Sequence, residues 1–241
     1  MAVPSYPFRP RNPAYPTTES ILIDETFTAY PRHSPEHQAA FDRANSDEAR
    51  RLRLQYLSIE EELDRAFRYV SPCEHNANTF SFKFAETIRS AANMYEILSK
   101  DLYSKFYNSN DSLNIYNYLA LDVYLNLADQ KVTLVVAHDS FPAYPEVTRP
   151  FFGLVCWDRA SPVADYQKPI WWSAYNDIKH SNAGIMAQAT LANAVAAVAA
   201  IFLVIERVYG FGILGGGFRD LPTGSFTYFP RWSRLFSRYS Y

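Results

Sequence analysis

From Ile185 to Ile205 the chain runs 21 residues without a formal charge, and any fold it adopts must find a dry place for that segment. The length is that of a bilayer crossing, but the content is not. Eight of the residues are alanine, and Gln188, Thr190 and Asn193 interrupt the run. Alanine is near neutral for transfer into hydrocarbon, whereas amides are costly. The expected place is therefore the centre of a helical bundle, as a helix over about 184–208. Its larger side chains, Leu191, Val195, Val198, Phe202 and Ile205, form a four-three-four-three stripe, and alanines on the other faces let neighbouring helices approach closely. A membrane-anchored protein is the less favoured use of the same segment.

Partners for such a helix are visible upstream. Leu52, Tyr56, Ile59, Leu63, Phe67 and Val70 recur at threes and fours with Arg and Glu between them, which predicts an amphipathic helix over 46–70, ended by Ser71-Pro72. Phe84, Ile88, Ala91, Tyr95, Leu98 and Leu102 repeat the pattern and predict a long helix over 80–106. An earlier helical signal starts at Ser34-Pro35-Glu36, where Ser caps, Pro suits the first turn and Glu favours the positive end. Beyond the turn Asn108–Asp111, residues 112–128 read as a helix through Leu113, Asn117, Leu121 and Tyr124. Lys131–Ala137 and Phe151–Trp157 are β-branched or bulky and apolar, and read as two short strands across a Pro-bearing loop. After Pro169 a helical pattern runs from Trp171 to about His180.

The two ends differ from this middle. Residues 1–33 carry six prolines and read as an extended arm, and residues 218–241 form a basic aromatic tail of net charge +3. The expected fold is mainly α: a helical bundle domain over 34–217 with a small β-hairpin insertion at about 131–157 and extended N- and C-terminal arms. A formal charge of −2 excludes a surface basic all over, as for gripping duplex DNA, and leaves room for a local basic patch. Cys73 and Cys156, with 82 residues between them, make neither a disulfide framework nor a ligand pair. His33, His37, His75 and His138 share no ligand spacing with each other or with the cysteines. No metal or cofactor is expected. The N-terminus lacks the pattern of a signal peptide, so the expected location is cytoplasmic. Gly210-Phe211-Gly212-Ile213-Leu214-Gly215 has the letters of a dinucleotide fingerprint but follows a helix instead of a strand, so its glycines are read as a helix stop and turn.

The chemistry concentrates in Trp171-Trp172-Ser173-Ala174-Tyr175-Asn176-Asp177-Ile178-Lys179-His180. A helix puts Asn176 and His180 on one face with Trp172 and Lys179 flanking. A histidine titrating near neutrality can take a proton from an RNA 2′-hydroxyl or give one to the leaving 5′-oxygen, while a cation steadies the phosphate charge. The competing reading makes Asn176 and His180 packing residues that satisfy buried backbone groups or bond each other.

The string resembles the degenerate end of the motif of the HEPN family (higher eukaryotes and prokaryotes nucleotide-binding), an Arg, four to six residues often beginning with Asn, then His. Asn176 and His180 match, while the family's Arg falls on Tyr175. The helix from Ser81 through Arg89, Glu96 and Lys100 is similar to an early helix of that family, and the resemblance covers about 80–208. It implies a bundle of four to five helices that often dimerises with two motif helices facing each other. It implies metal-independent ribonuclease activity in many toxin or antiviral defence members and RNA binding or assembly in others. His180, Asn176 and Lys179 become the candidate catalytic residues, with Lys179 or Arg89 replacing the missing guanidinium. Arg231, Arg234 and Arg238, interleaved with Trp232, Phe236 and Tyr239, join Arg89 as candidate nucleic-acid contacts.

The expected function is action on or binding of single-stranded RNA by a homodimer or larger oligomer. The rival is a non-catalytic assembly module whose terminal arms wrap partner proteins.

Overall fold

The computed structural model describes residues 46–107, 115–119, 121, 125, 127–128, 130–134, 147–151, 168–180, 186–209, 217–220, 226–229, 233 and 235–237. The arm over 1–33, the start signal at Ser34-Pro35-Glu36 and the glycine run 210–215 lie outside the described residues. What is described is mainly helical.

Helix α1, Asp47–Phe67, begins where the Ser46 hydroxyl accepts the Ala49 N–H at 3.2 Å, with Asp47 and Glu48 in the first turn. Tyr56, Leu63 and Phe67 point into the core as their spacing predicts. Helix α2, Phe82–Tyr107, is started by Ser81, whose hydroxyl accepts the Phe84 N–H at 3.1 Å. All six of its periodic apolar positions are buried.

Helix α3 covers Ile115–Leu119 of the helix expected over 112–128, and one further helical hydrogen bond runs from the Leu125 N–H to the Leu121 carbonyl at 2.9 Å. Helix α4, Ile170–His180, opens on Pro169, whose carbonyl accepts the Trp172 and Ser173 N–H groups. Helix α5, Leu191–Tyr209, is the one described helix long and apolar enough to cross a membrane. Here α1, α2 and α4 pack around it and bury its surface on nearly every side. Its alanines make this close approach feasible.

Two short backbone pairings fix how these helices sit. The Ser81 N–H donates to the Ala189 carbonyl at 3.1 Å and the Leu191 N–H to the Thr79 carbonyl at 2.9 Å, so α2 and α5 set off from the same end of the bundle. Tyr95 of α2 anchors α4 through rings of Trp171 and Trp172, with Phe151 and Tyr118 completing a cluster of centroids 5.3 to 6.4 Å from its own. Strand β1, Val132–Leu134, pairs antiparallel with β2, Val147–Thr148. The hairpin β3, Gly217–Asp220, and β4, Phe226–Phe229, forms a separate pair. Of the strand expected over 151–157, Phe151 is buried and 152–157 lie outside the described residues.

Two expectations need correction. The charged positions of α1 do not all face water: Glu60 is only 2% exposed. Protein groups replace its hydration. Its Oε1 accepts from the Tyr56 hydroxyl at 2.8 Å, the Ser233 hydroxyl at 2.5 Å and the Leu235 N–H at 3.1 Å, as a buried polar group requires. The C-terminal tail, read as an extended arm, is docked at Ser233 and Leu235–Ser237. Ser233, Leu235 and Phe236 are buried, and strand β5, Phe236–Ser237, adds antiparallel to β1. The cause is the same Glu60 acceptor together with apolar side chains that find cover, the Phe236 ring lying 6.0 Å from that of Phe202 in α5.

Candidate functional site

Helix α4 turns Trp171, Trp172, Ala174, Tyr175 and Ile178 inward, which leaves Asn176 half-buried and Asp177, Lys179 and His180 exposed. Asn176 and His180 thus emerge together, four residues apart, on the side away from the core. Neither has a hydrogen-bond partner among the described residues.

Tyr175, at the place of the family's Arg, is a packing residue. Its ring is buried, its hydroxyl donates to Asn93 Oδ1 of α2 at 3.0 Å, and the Lys179 ammonium lies 5.4 Å from its centroid. A cation reaches the same helix end from elsewhere. Arg89 of α2 donates through Nη2 to the Ile178 carbonyl at 3.0 Å, one of the last carbonyls of α4, which lack helical partners and favour positive charge. That bond uses one of the five N–H donors of a guanidinium, and the side chain is exposed. The structure therefore brings Arg89, Lys179 and His180 to one helix terminus, with Asn176 one turn back.

Glu96, two turns along α2 from Arg89, faces another neighbour. It is half-buried near Tyr118, whose hydroxyl is pushed up to about 12 by burial and then by the Glu96 charge. Arg231, Arg234 and Arg238 lie outside the described residues. So do His33, His37, His138 and Cys156, and among the described residues no group of three His, Cys, Asp or Glu side chains could hold a metal ion.

Two features escape a reading of the sequence. The first is the buried cluster of Tyr56, Glu60 and Ser233, in which the Tyr56 hydroxyl is raised well above its ordinary range, by burial first and by Glu60 next. Tyr56 and Glu60 are four apart on one helix, and that spacing was the available signal. Closed off from solvent, the cluster holds the tail and offers no place for a substrate. The second is a groove between α1 and α2. Its apolar part, about 290 Å³, is lined by Leu52, Ile59, Met94 and Ile97. It continues into a polar part of about 440 Å³, where Lys83 pairs with Glu86 at 2.8 Å and with Glu62 at 3.8 Å. One ammonium against two carboxylates leaves this part of the groove negative, so the helix terminus at His180 is the better candidate for chemistry on an anion.

No family model, curated protein or solved structure matches this chain.

Proposed function

We propose that the chain is a HEPN-like protein acting on single-stranded RNA, and that the C-terminal end of α4 is a metal-independent ribonuclease centre. In this reading the helices over 80–208 are the HEPN-like core, and β1 with β2 is its small hairpin insertion. His180 transfers protons, Asn176 positions the group that reacts, and Lys179 and Arg89 hold the phosphate. The observation that carries it is the Arg89 contact with the Ile178 carbonyl at 3.0 Å. It sets a guanidinium at the helix end that lacks the family's own Arg.

The chemistry is an internal displacement. An imidazole takes the 2′-hydroxyl proton, the 2′-oxygen bonds to phosphorus, the bond from phosphorus to the 5′-oxygen breaks, and the leaving oxygen receives a proton. The cations stabilise the charge that grows on the phosphoryl oxygens. One His180 can serve one of the two proton transfers at a time. A homodimer with facing motif helices, as the resemblance implies, supplies the second imidazole. The same resemblance points to a cytoplasmic role in prokaryotic antiviral defence or a toxin–antitoxin pair.

The test is cleavage of mixed single-stranded RNA in EDTA by wild type, His180→Ala and Arg89→Ala, with melting temperature followed in parallel. Wild type is expected to cleave. His180→Ala should lose at least about a hundredfold in rate while melting within about 0.5 kcal/mol of wild type, because the side chain is exposed. Arg89→Lys should recover only part of what Arg89→Ala loses, since an ammonium is not a bidentate phosphate ligand. No cleavage by wild type, or equal cleavage by His180→Ala, sinks the proposal.

A further inference from the structure

Helix α2 does not stop where α4 ends. The two run antiparallel, Asn93 meeting Tyr175 and Arg89 meeting Ile178, so each step toward the start of α2 corresponds to a step past the end of α4. His180 therefore lies level with about Thr87, and Phe82 stands about 7.5 Å farther along the axis at 1.5 Å per residue. Phe82, Arg89 and Asn93 are spaced by seven and then four residues, which places them on one stripe of α2, the stripe that borders α4.

Phe82 is 77% exposed, and Phe80, held just ahead of the helix by its bridge to Thr190, is 58% exposed. Scattered exposed hydrophobics are ordinary. The Glu86 carboxylate, between Phe82 and Arg89 on the same stripe, is bound by Lys83 at 2.8 Å, so the two phenylalanines and the terminus with Arg89, Lys179 and His180 make an apolar surface paired with a cationic one. That pairing complements a nucleotide, whose base has an apolar face and whose phosphate is an anion. The separation of about 7.5 Å is about two base steps of a stacked strand.

We propose that Phe82, with Phe80 beside it, is a base-stacking platform that selects unpaired RNA for this site. A base lies on the Phe82 ring while a phosphate about two nucleotides along the strand reaches Arg89 and Lys179. The inference rests on the ribonuclease reading of α4 and assigns to named side chains the preference for single strands which that reading assumes. Bases inside a duplex are not available to the ring, so single strands are chosen over duplexes. Every base has a π-face, so the choice is tolerant of sequence.

Binding is read apart from cleavage by working in the His180→Ala background. The readout is fluorescence anisotropy of a labelled single-stranded RNA decamer, of the same decamer carrying abasic positions, and of the duplex. Adding Phe82→Ala should weaken binding of the intact decamer about 5- to 100-fold and leave the abasic decamer unchanged, and Phe82→Trp should restore the loss. Unchanged binding of the intact decamer overturns the platform even if wild type cleaves RNA. Equal losses on intact and abasic decamers overturn it as well. A parent protein that neither cleaves nor binds RNA removes the ribonuclease reading, and the platform with it. Intact RNA binding combined with a change of mass in light scattering assigns the two rings to a protein contact instead.

Discussion

Glu60 and Tyr56 show what one buried pair demands of its surroundings. The Tyr56 hydroxyl donates to Glu60 Oε1 at 2.8 Å and also meets Ser233 Oγ at 3.2 Å. In the folded state burial and the Glu60 carboxyl both disfavour ionisation of the phenol, whose pKa is raised well above its ordinary value. The unfolded chain therefore loses this proton first as pH rises past about 10, and stability should fall from there by up to about 1.4 kcal/mol per pH unit for this group. Urea unfolding between neutral pH and pH 11 would show it, and Tyr56→Phe should flatten that decline. A slope identical in both proteins would rule out Tyr56 as its source. Tyr56 was legible in the sequence as a core position, because its spacing belongs to the apolar stripe. Glu60 was not: hydropathy places every carboxyl outside, and the Ser233 and Leu235 groups that solvate this one are more than 170 residues away.

At the level of elements, helices α1, α2, α4 and α5 were legible because a 3.6-residue period must show in any helix with one buried side. The seam between α2 and α4 was not. It depends on Asn93 with Tyr175 and Arg89 with Ile178, pairs separated by 82 and 89 residues, and nothing local records which polar groups of two helices will meet. The candidate site divides the same way: the spacing of Asn176 and His180 announced a shared face, while the arrival of Arg89 at its end needed the fold. This seam predicts that Tyr175→Arg, which supplies the Arg of the HEPN motif, will not supply ribonuclease chemistry. Position 175 faces the core, so the substitution buries a cation beside Trp172 and removes the Asn93 contact. The expected result is a loss of about 3 kcal/mol in urea unfolding with no gain in RNA cleavage. Higher cleavage at unchanged stability would mean that the side chain can reach the His180 surface and that α4 is less tightly docked than its contacts imply.

Across the whole molecule the C-terminal segment closes the architecture. Strand β5 pairs Phe236 with Leu134 and Ser237 with Thr133, and Phe236 packs on α5 while Ser233 and Leu235 bind α1 through Glu60. The tail thus joins the first and last described helices and the small sheet, three parts whose own sequence patterns make no reference to it. Deleting residues 230–241 should consequently act on stability. Exposing Leu235 and Phe236 alone costs about 1.5–3 kcal/mol each, and Glu60 and Tyr56 lose the Ser233 and Leu235 partners that accompany their burial. The truncated chain is expected to unfold at least about 3 kcal/mol more easily in urea, whatever its association state in sedimentation velocity. An assembly module that wraps its partners with this arm makes the opposite forecast: the oligomer dissociates on truncation and the protomer keeps its unfolding midpoint. The two measurements on one truncated protein separate a tail that completes the fold from a tail that reaches for a neighbour, and the burial of Ser233, Leu235 and Phe236 favours the first.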